Sequence, residues 1–365
     1  MSKIFRTCFF VLAAVLWMAP LKAASAAGDP SSVSGEMTFD ITMDAPADAK
    51  VAKLWVPYPG DNVYQDISHV RINGNYSYQG VYREKNTGNL MLYVEWSEPV
   101  KEQRKLTLTF NATSHLRTAK GATQTEKEIP VDIKPFLAAS EHIPITGKIK
   151  EAADKATKGK SNIADKSRAV YDWVVDNTYR DPNVVGCGLG EADKMLTQKG
   201  GKCVDISSVY VAVARAAGVP AREVFGIRIG QKDGANDMTG AHHCWSEYYL
   251  PGAGWIPVDP ADVRKAILEK KLDDKGAAEY REKYFQGLDP FRIALATGGR
   301  DYLLNPKQEG GPLNYFMYPY AEVDGKPLEW LAAQKDLKYK VTFNKDAATA
   351  AVDSAVQVAG TSAKQ

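Results

Sequence analysis

The feature that most limits the fold is a change of hydrophobic period partway along the chain. Over residues 36–113 apolar side chains recur at every second position: Met37, Phe39, Ile41 and Met43, then Leu90, Leu92, Val94 and Trp96, then Leu106, Leu108 and Phe110. A period of two sends successive side chains to opposite faces, which is the mark of half-buried strands. Asn73-Gly74 and Thr87-Gly88 supply turn residues between the runs, and no helical period of useful length intervenes. The stretch therefore predicts a small antiparallel sandwich.

Beyond residues 130–144 the period becomes helical. Ile163, Val170, Trp173, Val174 and Asn177 share one side of a helix that Ser161 or Asn162 can cap. A further helix is expected over about 203–217, stopped by Gly218 with Pro220 beyond it. Runs rich in β-formers follow at 222–229, 245–250 and 255–258, the last two joined as a hairpin by Leu250-Pro251-Gly252-Ala253-Gly254. Helices followed by antiparallel strands give an α+β class. The aromatic, Pro- and Gly-rich segment 302–320 and the alternating run 337–343 read as additions to this second domain.

Before the first strand, Lys3 and Arg6 precede an uncharged run over residues 7–21, followed by Ala24-Ser25-Ala26. A basic start, a short apolar stretch and a small-x-small site predict a signal peptide cleaved near Ala26, so the mature chain is expected to be exported, periplasmic or secreted. The run is short for a membrane span, and Pro20 and Lys22 break it, so no stable membrane insertion is expected. The expected organisation is signal peptide 1–26, β-sandwich 27–135, α+β domain 136–345 and a mobile tail 346–365 rich in Ala, Thr and Ser. Removing residues 1–26 takes away three basic groups and no acid, so the formal charge moves from +2 to −1. Neither value supplies the positive field that nucleic-acid binding requires, and nucleic acid is excluded as a partner.

The mature part holds Cys187, Cys203 and Cys244. Cys203 follows the flexible Gly200-Gly201-Lys202 turn and opens an apolar-periodic helix (Val204, Val209, Tyr210, Val213). A helix N-terminus favours the thiolate, the nucleophilic form of cysteine. A histidine and an aspartate follow in strand contexts: His243 opens one arm of the hairpin and Asp259 ends the other. Antiparallel arms bring those outer ends together, so the carboxylate can orient the imidazole while the imidazole takes the thiol proton. Strand alternation puts His243, Trp245 and Glu247 on one face and the competing base His242, with Cys244, on the other. Cys203, His242, His243 and Cys244 lack the paired spacing of structural zinc sites, and no metal is expected. Asp205 and Arg222 read as an ion pair or a substrate contact. Cys187 and Cys244 can pair in an oxidising compartment and leave Cys203 free.

These segments resemble the transglutaminase-like superfamily, whose core is similar to that of papain-type cysteine proteases. Gly201-Lys202-Cys203-Val204-Asp205 with Ala216-Ala217-Gly218-Val219-Pro220-Ala221-Arg222 resembles the family's cysteine helix and the strand after it. His243-Cys244-Trp245-Ser246-Glu247 and Gly254-Trp255-Ile256-Pro257-Val258-Asp259-Pro260 resemble its histidine and aspartate strands, and Tyr171-Asp172-Trp173-Val174 its first core helix. Leu54-Trp55-Val56-Pro57-Tyr58-Pro59 is similar to the front sandwich of bacterial members. The resemblance implies a papain-like transglutaminase core preceded by an all-β sandwich, with a Cys203, His243, Asp259 triad and acyl-enzyme chemistry on amides without a cofactor. Two departures stand out: Lys202 where animal cross-linking members have Gln, and Cys244 where a small apolar residue is common. The first weakens cross-linking; the chain is expected to hydrolyse or transfer peptide or protein amides, cell-wall peptides among the substrates, with hydrolysis preferred because water is the abundant acceptor outside the cytoplasm and the sequence marks no amine site or calcium loop. The rival is a catalytically silent binding module in an envelope assembly.

Overall fold

The computed structural model describes residues 29–98, 100, 102–332, 335–345 and 347. The expected signal peptide lies outside the described residues, as does the expected tail apart from Ala347. Among the described residues no helix is long and apolar enough to cross a membrane.

Strands open the described chain: β1 (Ser32–Met43), β2 (Ala52–Tyr58), β3 (Gln65–Gly74), β4 (Tyr78–Arg83), β5 (Leu90–Trp96), β6 (Arg104–His115) and the short β7 (Arg117–Thr118). The alternation read from the sequence is realised, with Met37, Phe39, Ile41 and Met43 all buried. Each faces a large partner, and the rings of Phe39 and Phe110 stack with centroids 6.3 Å apart. Both faces of β5 are nevertheless covered. Leu92, Val94 and Trp96 join the main core, while Met91 and Tyr93 join a second cluster with Trp55, Tyr302, Leu313, Phe316 and Tyr320.

The helical half begins with α1 (Lys148–Ala156), α2 (Ile163–Asn177), β8 (Tyr179–Arg180), α3 (Ala192–Gln198), β9 (Gly200–Gly201) and α4 (Cys203–Ala216). Asn162 caps α2, its Oδ1 accepting from the Asp165 amide at 2.8 Å. Gly218, at φ +81°, takes the left-handed conformation beyond the end of α4. Then come β10 (Ala221–Arg228), β11 (Ala235–Asp237), β12 (His242–Leu250), β13 (Gly254–Val258), α5 (Pro260–Lys270), α6 (Asp274–Lys283), β14 (Gly287–Leu288) and β15 (Arg292–Thr297). The sheet of this half is antiparallel in the order β13-β12-β10-β15, and α4 packs on β12 and β10.

The last strands are β16 (Tyr320–Val323), β17 (Lys326–Pro327) and β18 (Leu337–Asn344), and here the structure departs from the sequence reading. They return to the sandwich instead of extending the second domain. β18 pairs with β1 (Phe39 opposite Val341), and β16 pairs with β2 (Tyr320 opposite Trp55). The sandwich sheets are therefore β11-β18-β1-β6-β3 and β17-β16-β2-β5-β4. Alternation in 337–343 reports a strand with one buried face; the burial itself is supplied by β1, which has apolar side chains to match.

The two halves are latched by side chains that act as surrogate strands. β15 is an edge of its sheet, and Gln65 fills that edge: its Nε2 donates to Ala294 O at 3.0 Å and its Oε1 accepts from the Ala294 amide at 2.8 Å. Asn89 does the same at Thr297, at 3.0 and 2.9 Å. Backbone groups that would otherwise lie unpaired are satisfied, and the edge is closed to other chains.

Candidate active site

Cys203 is the first residue of α4, and the preceding turn is built to put it there. The Asp205 carboxylate accepts from the Lys202 amide at 2.9 Å and from the Gly190 amide at 2.8 Å, tying the helix start to the 187–190 loop. The Val204 amide donates to the Cys187 carbonyl at 3.0 Å. Gly188, at φ +91°, lies so close to Asp205 that a Cβ there would collide with the carboxylate, so the loop requires glycine at that position. Asp205 thus serves the backbone, and Arg222 pairs with Glu247 at 2.8 Å, so that both residues are structural and of the two readings offered by sequence an ion pair between them is not the one seen.

The three sequence-predicted residues come together. In the hairpin Ser246 lies opposite Val258 and Leu250 opposite Gly254, which leaves His243 and Asp259 at the outer ends of its arms. Their side chains meet there, His243 Nε2 lying 2.7 Å from Asp259 Oδ2. The other Asp259 oxygen caps α5, accepting from the Asp262 amide at 2.8 Å, so the carboxylate has no freedom to turn. His243 also stands beside the Cys203 thiol, close enough to favour its ionised form. All three side chains are buried, with Cys203 only 2 % exposed.

The electrostatics favour an ionised thiol. The neighbouring thiols of Cys187 and Cys244, and then His243, hold Cys203 well below the usual thiol range against the opposing effect of burial. The same contacts, with burial, push Cys187 and Cys244 up. Burial and Arg228 oppose a charge on His243, but Asp262 and Asp259 outweigh them and raise it. His242 has no carboxylate partner, and burial pushes it down to about 4.

The three cysteines among the described residues are free and buried, so the Cys187–Cys244 disulfide considered from sequence is not formed. Instead both thiols flank Cys203. The Cys187 thiol donates to the His242 carbonyl at 3.2 Å, and Tyr318 closes this side: it neighbours Cys187, and its ring centroid lies 4.6 Å from that of His242. Trp245 packs, with the Arg117 guanidinium 4.9 Å from its ring centroid.

The sequence reading missed Arg292. Wholly buried, it donates to Asp259 Oδ2 at 2.5 Å, to Asp262 Oδ2 at 2.7 Å and to Asp289 Oδ2 at 3.0 Å. Its signal was present as a lone cation in the otherwise apolar run Phe291-Arg292-Ile293-Ala294-Leu295-Ala296. A buried strand carries such a residue only where counter-charges meet it.

Comparison with known proteins gives a consistent result. The model of the transglutaminase-like superfamily matches residues 150–260, the segment that holds Cys203, His243 and Asp259. An uncharacterized protein of Haemophilus influenzae is 34% identical over 334 residues, covering 84% of this chain and 90% of that protein. A protein-glutamine gamma-glutamyltransferase of Pseudomonas aeruginosa is 34% identical over 131 residues, 34% of this chain but 19% of that protein. A Cytophaga hutchinsonii structure provisionally described as a cysteine protease has a TM-score of 0.52 at 15% identity, covering 87% of this chain and 99% of that one. That last likeness is one of fold.

Proposed function

Because this chain belongs to the transglutaminase-like superfamily, a family of cysteine-dependent enzymes, we propose that it is an exported amide hydrolase acting on peptides or proteins through a thioester on Cys203. The observation that carries the reading is His243 held between the Asp259 carboxylate and the Cys203 thiol.

The Cys203 thiolate attacks the amide carbonyl carbon, and the carbonyl π pair moves onto oxygen. As the pair returns, the C–N bond breaks and the imidazolium of His243 gives its proton to the leaving nitrogen. A thioester remains. Neutral His243 then takes a proton from water, whose oxygen attacks the thioester carbon, and the acid departs as Cys203 regains its thiolate and His243 its proton. Asp259 fixes the imidazole orientation and steadies its positive charge. The Cys203 backbone N–H at the open start of α4 is one donor to the oxyanion.

Water is the preferred acceptor. Lys202 in place of the Gln of cross-linking relatives supports this, and cell-wall peptides are substrates suited to an exported enzyme. Mass spectrometry of a glutamine peptide tests it: hydrolysis to the acid is expected with or without added amine, and a gain of the amine's mass overturns the choice.

The burial of Cys203 favours a second reading, a silent binding module whose cleft is closed by Tyr318 and its neighbours. Alkylation at about pH 6 separates the two. An active enzyme gives Cys203 modified far ahead of Cys187 and Cys244, and equal or absent modification of all three selects the module.

A further inference from the structure

Behind His243 lies a closed set of charges larger than a catalytic pair needs. Asp259 is the N-cap of α5 and Asp262 stands on its first turn, Asp289 lies before β15, Arg292 at the start of β15 and Arg228 at the end of β10. Arg292 bridges all three carboxylates, and Arg228 Nη2 binds Asp262 Oδ1. Asp262 Oδ2 is also 3.7 Å from His243 Nε2, so the imidazole has two carboxylates on one edge. Around the cluster also lie Cys203 on α4, Tyr171 on α2, a buried phenol that feels the Asp259 charge, Tyr284, whose ring centroid is 5.3 Å from the Arg292 guanidinium, and Arg117 of β7, which shares the Trp245 ring with Arg292 and has Glu247 as a counter-charge.

We propose that Arg292 and Asp262 are positioning residues for the acid–base pair: Arg292 locks the Asp259 and Asp262 carboxylates against the His243 edge, and Asp262 supplies a second anion for the imidazolium. The inference rests on the proposed roles of Cys203, His243 and Asp259. Three carboxylates against two guanidinium groups leave one negative charge in excess, and a protonated His243 neutralises it. Each deletion therefore has a sign. Without the Asp262 charge, two guanidinium groups face one carboxylate fewer, and the imidazolium is destabilised. With Arg292 shortened to a lysine, one ammonium cannot reach three carboxylates; they are less neutralised and the imidazolium is favoured. A burial-only role for this cluster predicts no such opposition.

The test is the pH profile of Cys203 alkylation by iodoacetate, an anion drawn by the imidazolium, so that the alkaline limb reports loss of the His243 proton. Asp262→Asn is expected to move that limb to lower pH by about one unit, and Arg292→Lys to move it to higher pH by about half a unit. Unfolding midpoints identify which variants are folded, and either folded variant decides on its own. Alkaline limbs that coincide with the wild type, even with lowered midpoints, overturn the proposal. A wild-type Cys203 without selective reactivity, or a profile unchanged by His243→Ala, instead overturns the underlying assignment of the triad.

Discussion

Two adjacent histidines on β12 occupy opposite surroundings. His242 lies among Tyr318, Tyr339 and the Thr239 carbonyl, and its neutral form is favoured; His243 lies against Asp259 and Asp262, and its charged form is favoured. Both are buried, so removal from water does not separate them. The difference is the sign and number of partners, a case of counter-charge overcoming desolvation on one side of a residue pair and not on the other. A buried histidine here is a core residue or a candidate base according to what its neighbouring segments deliver.

The largest break in this comparison is expected from activity. His243→Ala should lower amide hydrolysis by about 10²–10⁴-fold, whereas His242→Ala should change it by less than about tenfold in folded protein, both followed by product release from a peptide. If the two losses are equal, the assignment of the base is wrong.

Next comes stability against pH, where the two residues have opposite signs. His242 titrates at about 4 folded and near 6.5 unfolded, so the unfolded chain binds its proton first and stability is lost as pH falls from about 6.5 to 4, by about 3 kcal/mol. His243 is raised, so its contribution is present below about pH 6.5 and lost as pH rises through its folded value. Urea melts across pH 4 to 9 should show both flanks, and His242→Asn should remove much of the acid one.

A smaller effect sharpens the aromatic side alone. Tyr318→Leu removes a ring from His242 and a partner from Cys187, and should lower stability by about 1–2 kcal/mol while flattening the acid flank. The smallest is a control on the sandwich surface: Arg71→Ala breaks the exposed pair with Glu36 and should cost less than about 1 kcal/mol by denaturant melt, with both flanks in place.

Much of this site was legible before any coordinates. Cys203 announced itself by the glycines before it and the apolar helix after it, and the hairpin register carried His243 to Asp259. The strands β1, β5 and β6 followed from alternation, whereas the largely exposed β3 and β4 carried no such period. Partners distant in sequence were not legible. Gln65 and Asn89 look like ordinary loop amides, and only β15 gives them a function. Arg292 is 33 residues from Asp259, and nothing local states that three carboxylates await it. The strand at 337–343 was found but credited to the wrong neighbour, because period reports a buried face without naming what buries it.

That strand has a consequence for the order of events in synthesis. β1 is held on one side by β6 and on the other by β18, roughly 300 residues later, and Cys203, His243 and Asp259 all lie in the interval. A ribosome that has already released the triad has not yet released the strand that completes the sheet. Closing so long a loop adds little to the equilibrium cost, because the entropy grows only with the logarithm of length, but contacts so far apart form slowly. The nascent chain thus carries the Cys187 and Cys244 thiols for some time before their final enclosure exists, and a thiol-blocking reagent added during translation should reach these two cysteines, which it reaches only slowly once β18 has docked.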